Sequence, residues 1–456
     1  MEFVHRPYVP GETIAAVATP PGEGGIAIIR ISGSEAIEVA SKIFSGPVVR
    51  YESHTAHLGK VIGPDAQIID EVLLLVMKGP RSFTGEDTVE IHCHGGALIC
   101  RRVLEAIIAA GAKPALPGEF SFKAFLNGKI DLAQAEAIQA KIGARNEIAL
   151  SCAEQQLEGL LSKKIAYFQN KLIDIAAILE AWVDFPEEDL EFASQNEVIE
   201  TIEEAVAEME KLIDGFHAGK MIQEGVSVCL VGSPNVGKSS LMNALLRKER
   251  AIVSPIPGTT RDLVEDDLRL NGFHLRLTDT AGIREGAEAI EEEGIRRSKK
   301  VIERSDIVLF VLDVTSTIPY DMLCDLPQDK TIAIWNKVDL AYERPLPELP
   351  FSRIVEVSAQ QRIGLEKLET EIDQVIWKGG TPYRNEVVIT SLRHKDALVQ
   401  ARDSCMNVIA ALKRNDSAEF ISFDMRQALS SLGTIIGTNI TEDILTAVFS
   451  KFCIGK

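Results

Sequence analysis

Long hydrophobic runs are missing from this 456-residue chain: no stretch approaches the roughly 18 consecutive apolar residues that a membrane-spanning helix needs, so no membrane span is expected. Met1–Glu12 lacks the charged-then-apolar pattern of a secretory leader, and the expectation is an unexported, cytoplasmic protein. Cysteine is sparse. The seven (Cys93, Cys100, Cys152, Cys229, Cys324, Cys405 and Cys453) are odd in number and scattered, with no pair spaced C-x-x-C, which argues against a disulfide framework and against a zinc site. Positive charge is in deficit, 48 Lys and Arg against 67 Asp and Glu, for a net −19. That balance excludes a broad electrostatic footprint for nucleic acid, because phosphate binding depends on Lys and Arg neutralising the backbone; any RNA contact must be local or supplied by a partner. There is no short tandem repeat and no low-complexity tract.

What is present is material for buried cores: 46% of residues are hydrophobic and 25% charged, over a length that corresponds to roughly two to four domains. Four stretches follow one another. Residues 1–127 mix β-like runs (Ile26–Ile31, Val72–Met77, Val89–His92) with helical ones and Gly/Pro punctuation, and read as α/β. Residues 128–219 turn helical: Leu157, Leu161, Ile165, Phe168, Leu172, Ile175, Leu179 and Trp182 recur at spacings of three and four, one buried stripe on a long helix. Pro186, in an acidic segment, ends that helix, and a second amphipathic run through Ile199, Ile202, Met209 and Ile213 closes near Gly215. In residues 220–380 the short apolar runs Val226–Val231, Leu275–Thr278, Ile307–Val311, Ile332–Trp335 and Ile354–Val357 alternate with helical segments, as a sheet buried on both faces requires. Asn271-Gly272 between two such runs is a hairpin signal and predicts one antiparallel edge pair. In residues 381–456 the helical pattern returns (Ala397–Leu412, Met425–Ile435, Ile444–Phe449), so the topology reads as a helical domain split by an inserted α/β domain.

The inserted stretch carries the chemistry. Gly232-Ser-Pro-Asn-Val-Gly-Lys-Ser239 follows a predicted strand and opens a predicted helix, the context that a G-x-x-x-x-G-K-S phosphate loop needs. The backbone N–H groups of Asn235, Val236, Gly237 and Lys238, with those of Ser239 and Ser240 in the first helical turn, would surround the phosphates; Lys238 adds a point charge and Ser239 a hydroxyl for Mg²⁺. Asp279-Thr280-Ala281-Gly282 closes a strand, where the carboxylate would hold Mg²⁺ through water and the Gly282 N–H would meet a γ-phosphate. Gly258-Thr259-Thr260-Arg261-Asp262 lies between these motifs, placed to give a threonine hydroxyl to Mg²⁺ and so sense that phosphate. Asn336-Lys337-Val338-Asp339 ends another strand; a carboxylate there accepts two hydrogen bonds from guanine N1–H and the N2 amino group, a pair that adenine cannot donate. Ser358-Ala359, after the next strand, completes a base pocket, so GTP is expected over ATP. The expected class is multidomain, α/β plus α, with a Ras-like P-loop GTPase domain inserted in the helical one.

Ile283 stands where Ras-type enzymes carry a water-orienting glutamine, so water must be positioned otherwise; the acidic cluster Glu291-Glu292-Glu293 and Arg261 as a finger in cis are the candidates. Asn235 is unusual in a phosphate loop, and its side-chain oxygen suits a monovalent cation beside the phosphates.

Taken together these residues resemble the MnmE/TrmE family of tRNA-modification GTPases, and the resemblance runs to both ends of the chain. Its further marks are Ala18–Ile26, Arg30-Ile-Ser-Gly33, Ser82–Asp87, Pro117–Phe120, Phe125–Asn127, Asp131–Ile138 and the terminal Phe452-Cys-Ile-Gly-Lys456. The resemblance implies an N-terminal α/β domain that forms the homodimer and binds a tetrahydrofolate derivative (5-formyl- or 5,10-methylene-tetrahydrofolate) through Arg30, Glu90, Lys129 and Lys456. It also implies a heterotetramer with an FAD-dependent partner of the MnmG/GidA type, which together place an aminomethyl-type group on C5 of the wobble uridine of certain tRNAs. It places K⁺ at Asn235, Ser254, Ile256 and Thr259, Mg²⁺ at Ser239 and Thr260, and the catalytic glutamate at Glu291, with K⁺-dependent pairing of two G domains activating hydrolysis. Cys453 would lie near the folate pocket in a role needed for modification, against the alternative of a buried, inert thiol. Basic side chains suit a glutamate tail's carboxylates and a carboxylate suits a pterin's paired donors, although Arg30 and Glu90 also fit a simple surface ion pair.

His92-Cys-His94 is a triplet outside the resemblance; the two histidines share a strand face, but two ligands alone make a poor metal site, and they read as strand-end residues. A ribosome-assembly GTPase would look similar in its G domain but should carry a basic RNA-binding C-terminus. A tethering GTPase would need a basic amphipathic helix, which the sequence does not offer, and a folate enzyme merely regulated by GTP is the third rival.

Overall fold

The computed structural model describes residues 9–184, 194–246, 265–270, 273–279, 300–323, 326–340, 348–376 and 387–455. The chain divides into two compact units, Met1–Gln139 with Gln156–Ser194 and Asp403–Lys456, and Ala140–Gln155 with Gln195–Arg402.

The first unit holds a six-stranded sheet: β1 (Ile14–Val17), β2 (Gly24–Ser32), β3 (Thr55–Ile62), β4 (Ile68–Met77), β5 (Thr88–Gly95) and β6 (Lys113–Pro114), in the order β3-β4-β5-β2-β1-β6. Every pairing is antiparallel except β1 with β6. Alternation sorts the two faces. Ala27, Ile29 and Ile31 of β2, Val72, Leu74 and Val76 of β4, and Val89, Ile91 and Cys93 of β5 are buried in one cluster with helices Ala36–Ile43 and Ala97–Ala109. Arg30, Glu90 and His92, at the intervening positions, therefore belong to the opposite face. The predicted runs fall inside β2, β4 and β5; β1, β3 and β6 escape a sequence reading because they are very short or, in β3, interrupted by His57, Gly59 and Lys60.

The predicted single helix through Leu157 to Trp182 is two: Glu147–Leu157 and Leu160–Asp184, separated at Gly159, whose φ of +82° only glycine adopts cheaply. The stripe itself is as read, since Leu161, Ile165, Phe168, Leu172, Ile175 and Leu179 are buried, and this helix packs on Ala418–Ile436. Pro186 lies outside the described residues.

In the second unit helix Gln195–Asp214 ends where Gly215 predicts, and a further helix, Phe216–Glu224, follows it unpredicted. Then β7 (Val226–Val231), β8 (Glu265–Leu270), β9 (Phe273–Asp279), β10 (Ile307–Asp313), β11 (Thr331–Asn336) and β12 (Ile354–Val357) form a sheet ordered β12-β11-β10-β7-β9-β8. It is parallel apart from the β8–β9 edge, paired antiparallel from Leu270 opposite Phe273; Asn271-Gly272 themselves lie outside the described residues. Every residue of β10 and β11 is buried. Alternate side chains feed two cores, Leu309, Val311, Ile332 and Ile334 on one face and Val308, Phe310, Ala333 and Trp335 on the other. The chain turns one way from β7 to β9 and the other way from β10 to β12, so β7 and β10 flank a topological switch point, where open parallel sheets bind ligands beyond the strands' carboxyl ends. Among the described residues no helix is long and apolar enough to cross a membrane.

Candidate nucleotide site and N-terminal polar pocket

The loop after β7 is shaped by two glycines and closed by its own lysine. Gly232 has φ +151°, and a Cβ there would stand 2.4 Å from the Val311 carbonyl; Gly237 has φ +100°, and its Cβ would stand 2.3 Å from Asn336 Nδ2. Neither place admits a side chain without moving backbone or Asn336. Asn235, the apex, is left-handed too, at φ +62°. Lys238, which opens helix Lys238–Leu246 and is 7% exposed, donates from Nζ to the Gly232 and Ser233 carbonyls at 2.8 and 2.9 Å. Val236 is buried, whereas Ser239 and Ser240 are exposed at the helix start, where backbone N–H groups and the helix dipole favour an anion.

Asn336 ties this loop to the others. It is 1% exposed; its Nδ2 donates to the Val236 carbonyl at 2.8 Å and its Oδ1 accepts from Ala359 N–H at 3.1 Å. Lys337, held at φ +65°, donates from Nζ to the Asn235 carbonyl at 2.9 Å and to Asp313 Oδ2 at 2.7 Å. Burial pushes the Asp313 carboxyl up, but hydrogen bonds from Lys337 and from the Thr315 hydroxyl and N–H, with the Lys337 charge, outweigh it and hold the group below the ordinary carboxylate range. Ser358, fully buried, accepts at Oγ from Gln361 N–H at 3.1 Å and fixes the turn that presents Ala359.

Asp339 sits in the single turn Val338–Leu340 that follows, and its Oδ1 is shielded from solvent without a hydrogen-bond partner. A carboxylate oxygen left so is costly unless something donates to it, and a guanine edge is such a donor. Asp313 and Thr315 escape a sequence reading; the only signal is a carboxylate ending an otherwise apolar strand. Asp279 closes β9 beside β7, its backbone in register with Leu230 just before the phosphate loop. Ser254, Ile256, Thr259, Thr260, Arg261, Thr280, Ala281, Gly282, Glu291, Glu292, Glu293 and Lys456 lie outside the described residues.

On the open face of the first sheet, Arg30 and Glu90 stand opposite each other on β2 and β5. Arg30 reaches Glu90 Oε1 from Nε at 2.9 Å and from Nη2 at 2.8 Å, with the side chains 21% and 12% exposed. Its guanidinium also lies over the rings of Phe83 and Phe120, at 5.9 and 5.7 Å. The pair is therefore half-enclosed between aromatic walls, which a freely solvated surface pair is not. Lys129 donates to the Pro80 carbonyl at 3.0 Å, and Asn127 Nδ2 to the Thr84 carbonyl at 2.7 Å. Lys123, 1% exposed, pairs with Glu86 at 2.7 Å. Together these contacts pin the loop that carries Phe83.

The C-terminal turn packs on the same sheet: Gly118 N–H donates to the Cys453 carbonyl at 3.4 Å, and a Cβ on Gly455 would stand 2.3 Å from the Val17 carbonyl. Cys453 is exposed, which removes the alternative of a buried, inert thiol. His94 pairs through Nδ1 with Asp70 at 2.8 Å at the end of β5, while His92 turns towards Glu90. Among the described residues no cluster of His, Cys, Asp or Glu is arranged to hold a metal ion.

The chain matches two family descriptions, "GTP-binding protein TrmE N-terminus" over residues 13–129 and "MnmE helical domain" over residues 132–453. It is 59% identical to the tRNA modification GTPase MnmE of Protochlamydia amoebophila over the full length of both chains. It is 45% identical to that of Chlamydia abortus, covering 98% of this chain and 100% of the other, and 41% identical to that of Thermoanaerobacter pseudethanolicus, covering 98% and 99%. Among solved structures, the G domain of the T. maritima FeoB iron transporter matches 33% of this chain and 98% of its own at 27% identity, with a TM-score of 0.26. With relatives aligned end to end at these identities and both family descriptions met in sequence order, the chain belongs to the MnmE family of tRNA modification GTPases.

Proposed function

We propose that this protein hydrolyses GTP and, with an FAD-dependent partner of the MnmG/GidA type, adds an aminomethyl or carboxymethylaminomethyl group to C5 of the wobble uridine of certain tRNAs. The observation that carries the GTP half is the unpartnered, solvent-shielded Oδ1 of Asp339, beside an Asn336 that already holds the phosphate loop and Ala359 together. A site so built accepts a base that donates twice.

In this reading Mg²⁺ is held by Ser239 and Thr260, with Asp279 acting through water, and K⁺ by Asn235, Ser254, Ile256 and Thr259. The exposed, left-handed Asn235 at the loop apex is placed for a ligand oxygen, while its carbonyl is fixed by Lys337. Thr280, Ala281 and Gly282 take part in binding GTP, the Gly282 N–H meeting the γ-phosphate, and Glu291 positions the attacking water. K⁺ supplies the positive charge that an arginine finger gives elsewhere, and two G domains pair across their nucleotides when it is bound.

The half-enclosed Arg30–Glu90 pair, with Lys129 and Lys456, takes the tetrahydrofolate derivative, 5-formyl- or 5,10-methylene-tetrahydrofolate; Cys453 works beside it. Residues 1–127 form the folate and dimerisation domain, 128–219 with 381–456 the helical domain, and 220–380 the inserted G domain. The protein acts in the cytoplasm as a homodimer, within a heterotetramer that binds tRNA.

The test is GTP turnover by the purified protein in KCl and in NaCl at equal ionic strength, with oligomeric state recorded on a GTP transition-state analogue. Activation and G-domain association confined to K⁺ are expected. Equal rates and no cation-dependent association would remove the K⁺ mechanism and leave the family assignment in place; unmodified wobble uridine in cells lacking the protein tests the tRNA half.

A further inference from the structure

His92 is unexplained by the folate pair as described, yet it shares that pair's carboxylate. Glu90 Oε1 receives both Arg30 contacts. Its other oxygen, Oε2, faces His92 Nε2 at 3.5 Å, and that nitrogen is shielded from solvent with no hydrogen-bond partner. The separation is too long for a hydrogen bond as it stands and short enough for an ion pair once the ring is charged. Around His92 the cross-strand neighbours are apolar, Leu73 on β4 and Ile28 on β2. The charged groups near it are Glu90 and Arg30, then Glu71 two residues along β4, which stands opposite Lys60, and His94, which is already paired with Asp70.

We infer that His92 is a positioning residue that sets, through its proton, whether Glu90 Oε2 is free for the ligand. The inference rests on the folate reading of the Arg30–Glu90 pocket. With the imidazole neutral and its proton on Nδ1, Oε2 is open to a ring edge that presents paired N–H donors. With the imidazole protonated, Nε2–H closes on Oε2, satisfies it, and puts a positive charge where those donors would dock. Affinity for a reduced pterin should therefore rise with pH as the imidazole loses its proton. Glu90 is held by Arg30 and His94 is engaged with Asp70, which leaves His92 as the group whose proton gates Oε2.

The experiment measures 5-formyl-tetrahydrofolate binding to the full-length protein by titration calorimetry from about pH 5.5 to 8, for the wild type and His92→Gln, with circular dichroism establishing that the variant is folded. The wild type should bind about three- to tenfold more tightly at the upper end, and His92→Gln should bind with a flat profile. The ligand's own ionisation is common to both proteins, and His94→Gln should keep the wild-type slope. Binding that is equally pH-dependent in His92→Gln, or flat in the wild type, overturns the role of His92 and leaves the folate reading standing. No binding at any pH overturns the folate reading and the inference with it.

Discussion

The two sheets build their sites in opposite ways. In the second unit the described groups of the candidate nucleotide site sit in contiguous motifs at the carboxyl ends of parallel strands, and the motifs meet because β7, β10 and β11 are neighbours. In the first unit the pocket is made on the open face of an antiparallel sheet, by one residue from each of β2 and β5, a pinned loop and the chain's far end. The first kind of site is fixed by backbone turns at Gly232 and Gly237 that admit no side chain, tied together by the one buried Asn336 side-chain amide. The second kind is fixed by side chains reaching across strands, so it depends on the register of β2 against β5 and on charge geometry.

The largest effect should come from Asp339→Asn, which exchanges an acceptor for a donor against guanine. GTP affinity should fall by about 100-fold or more while xanthosine triphosphate gains, as competition binding would read; unchanged GTP affinity removes the base-pocket assignment. Next, Glu291→Ala should slow single-turnover hydrolysis by about 100-fold and leave GTP affinity in place; an equal loss of both would make Glu291 structural.

Asp313→Asn sharpens the contrast from within the nucleotide site, since it removes the charge that holds Lys337 against the Asn235 carbonyl. It should cost about 1–3 kcal/mol in urea unfolding near neutral pH. Because the folded carboxyl titrates below its ordinary value, this contribution is fully present above about pH 4 and is lost as pH falls through the folded value, so wild type and variant should converge in acid. The smallest effect belongs to the cross-strand pocket: Arg30→Lys keeps the charge but loses the two-nitrogen grip on Glu90, and should weaken 5-formyl-tetrahydrofolate about tenfold without touching GTP affinity. A matching loss of GTP affinity would show that the two sites are not independent.

Legibility in the sequence follows the same division. Strands β7 and β12 begin and end where their apolar runs do, and β9, β10 and β11 contain theirs; β10 and β11, buried at every residue, carry the least interrupted runs. In the first sheet one face is open, and β3, with His57 and Lys60 in it, carries no such run. The long helical stripe is legible but its break is not: Gly159 falls between Leu157 and Leu161 without disturbing their spacing, and only its left-handed backbone divides the helix.

By itself the sequence determined where the candidate nucleotide site lies, because a phosphate loop and the carboxylate proposed to read guanine are local arrangements carried by a few consecutive residues. It determined the parallel sheet through the apolar runs of its strands, uninterrupted in the fully buried cores of β10 and β11. The tertiary structure alone decided what depends on strands distant in the chain: that Asp313 disciplines Lys337, that Arg30 is held between Phe83 and Phe120, that the C-terminal turn seats Gly455 on β1, and that His92 shares the carboxylate of Glu90. Register across a sheet is set by the whole pairing pattern, and no spacing along the chain records it.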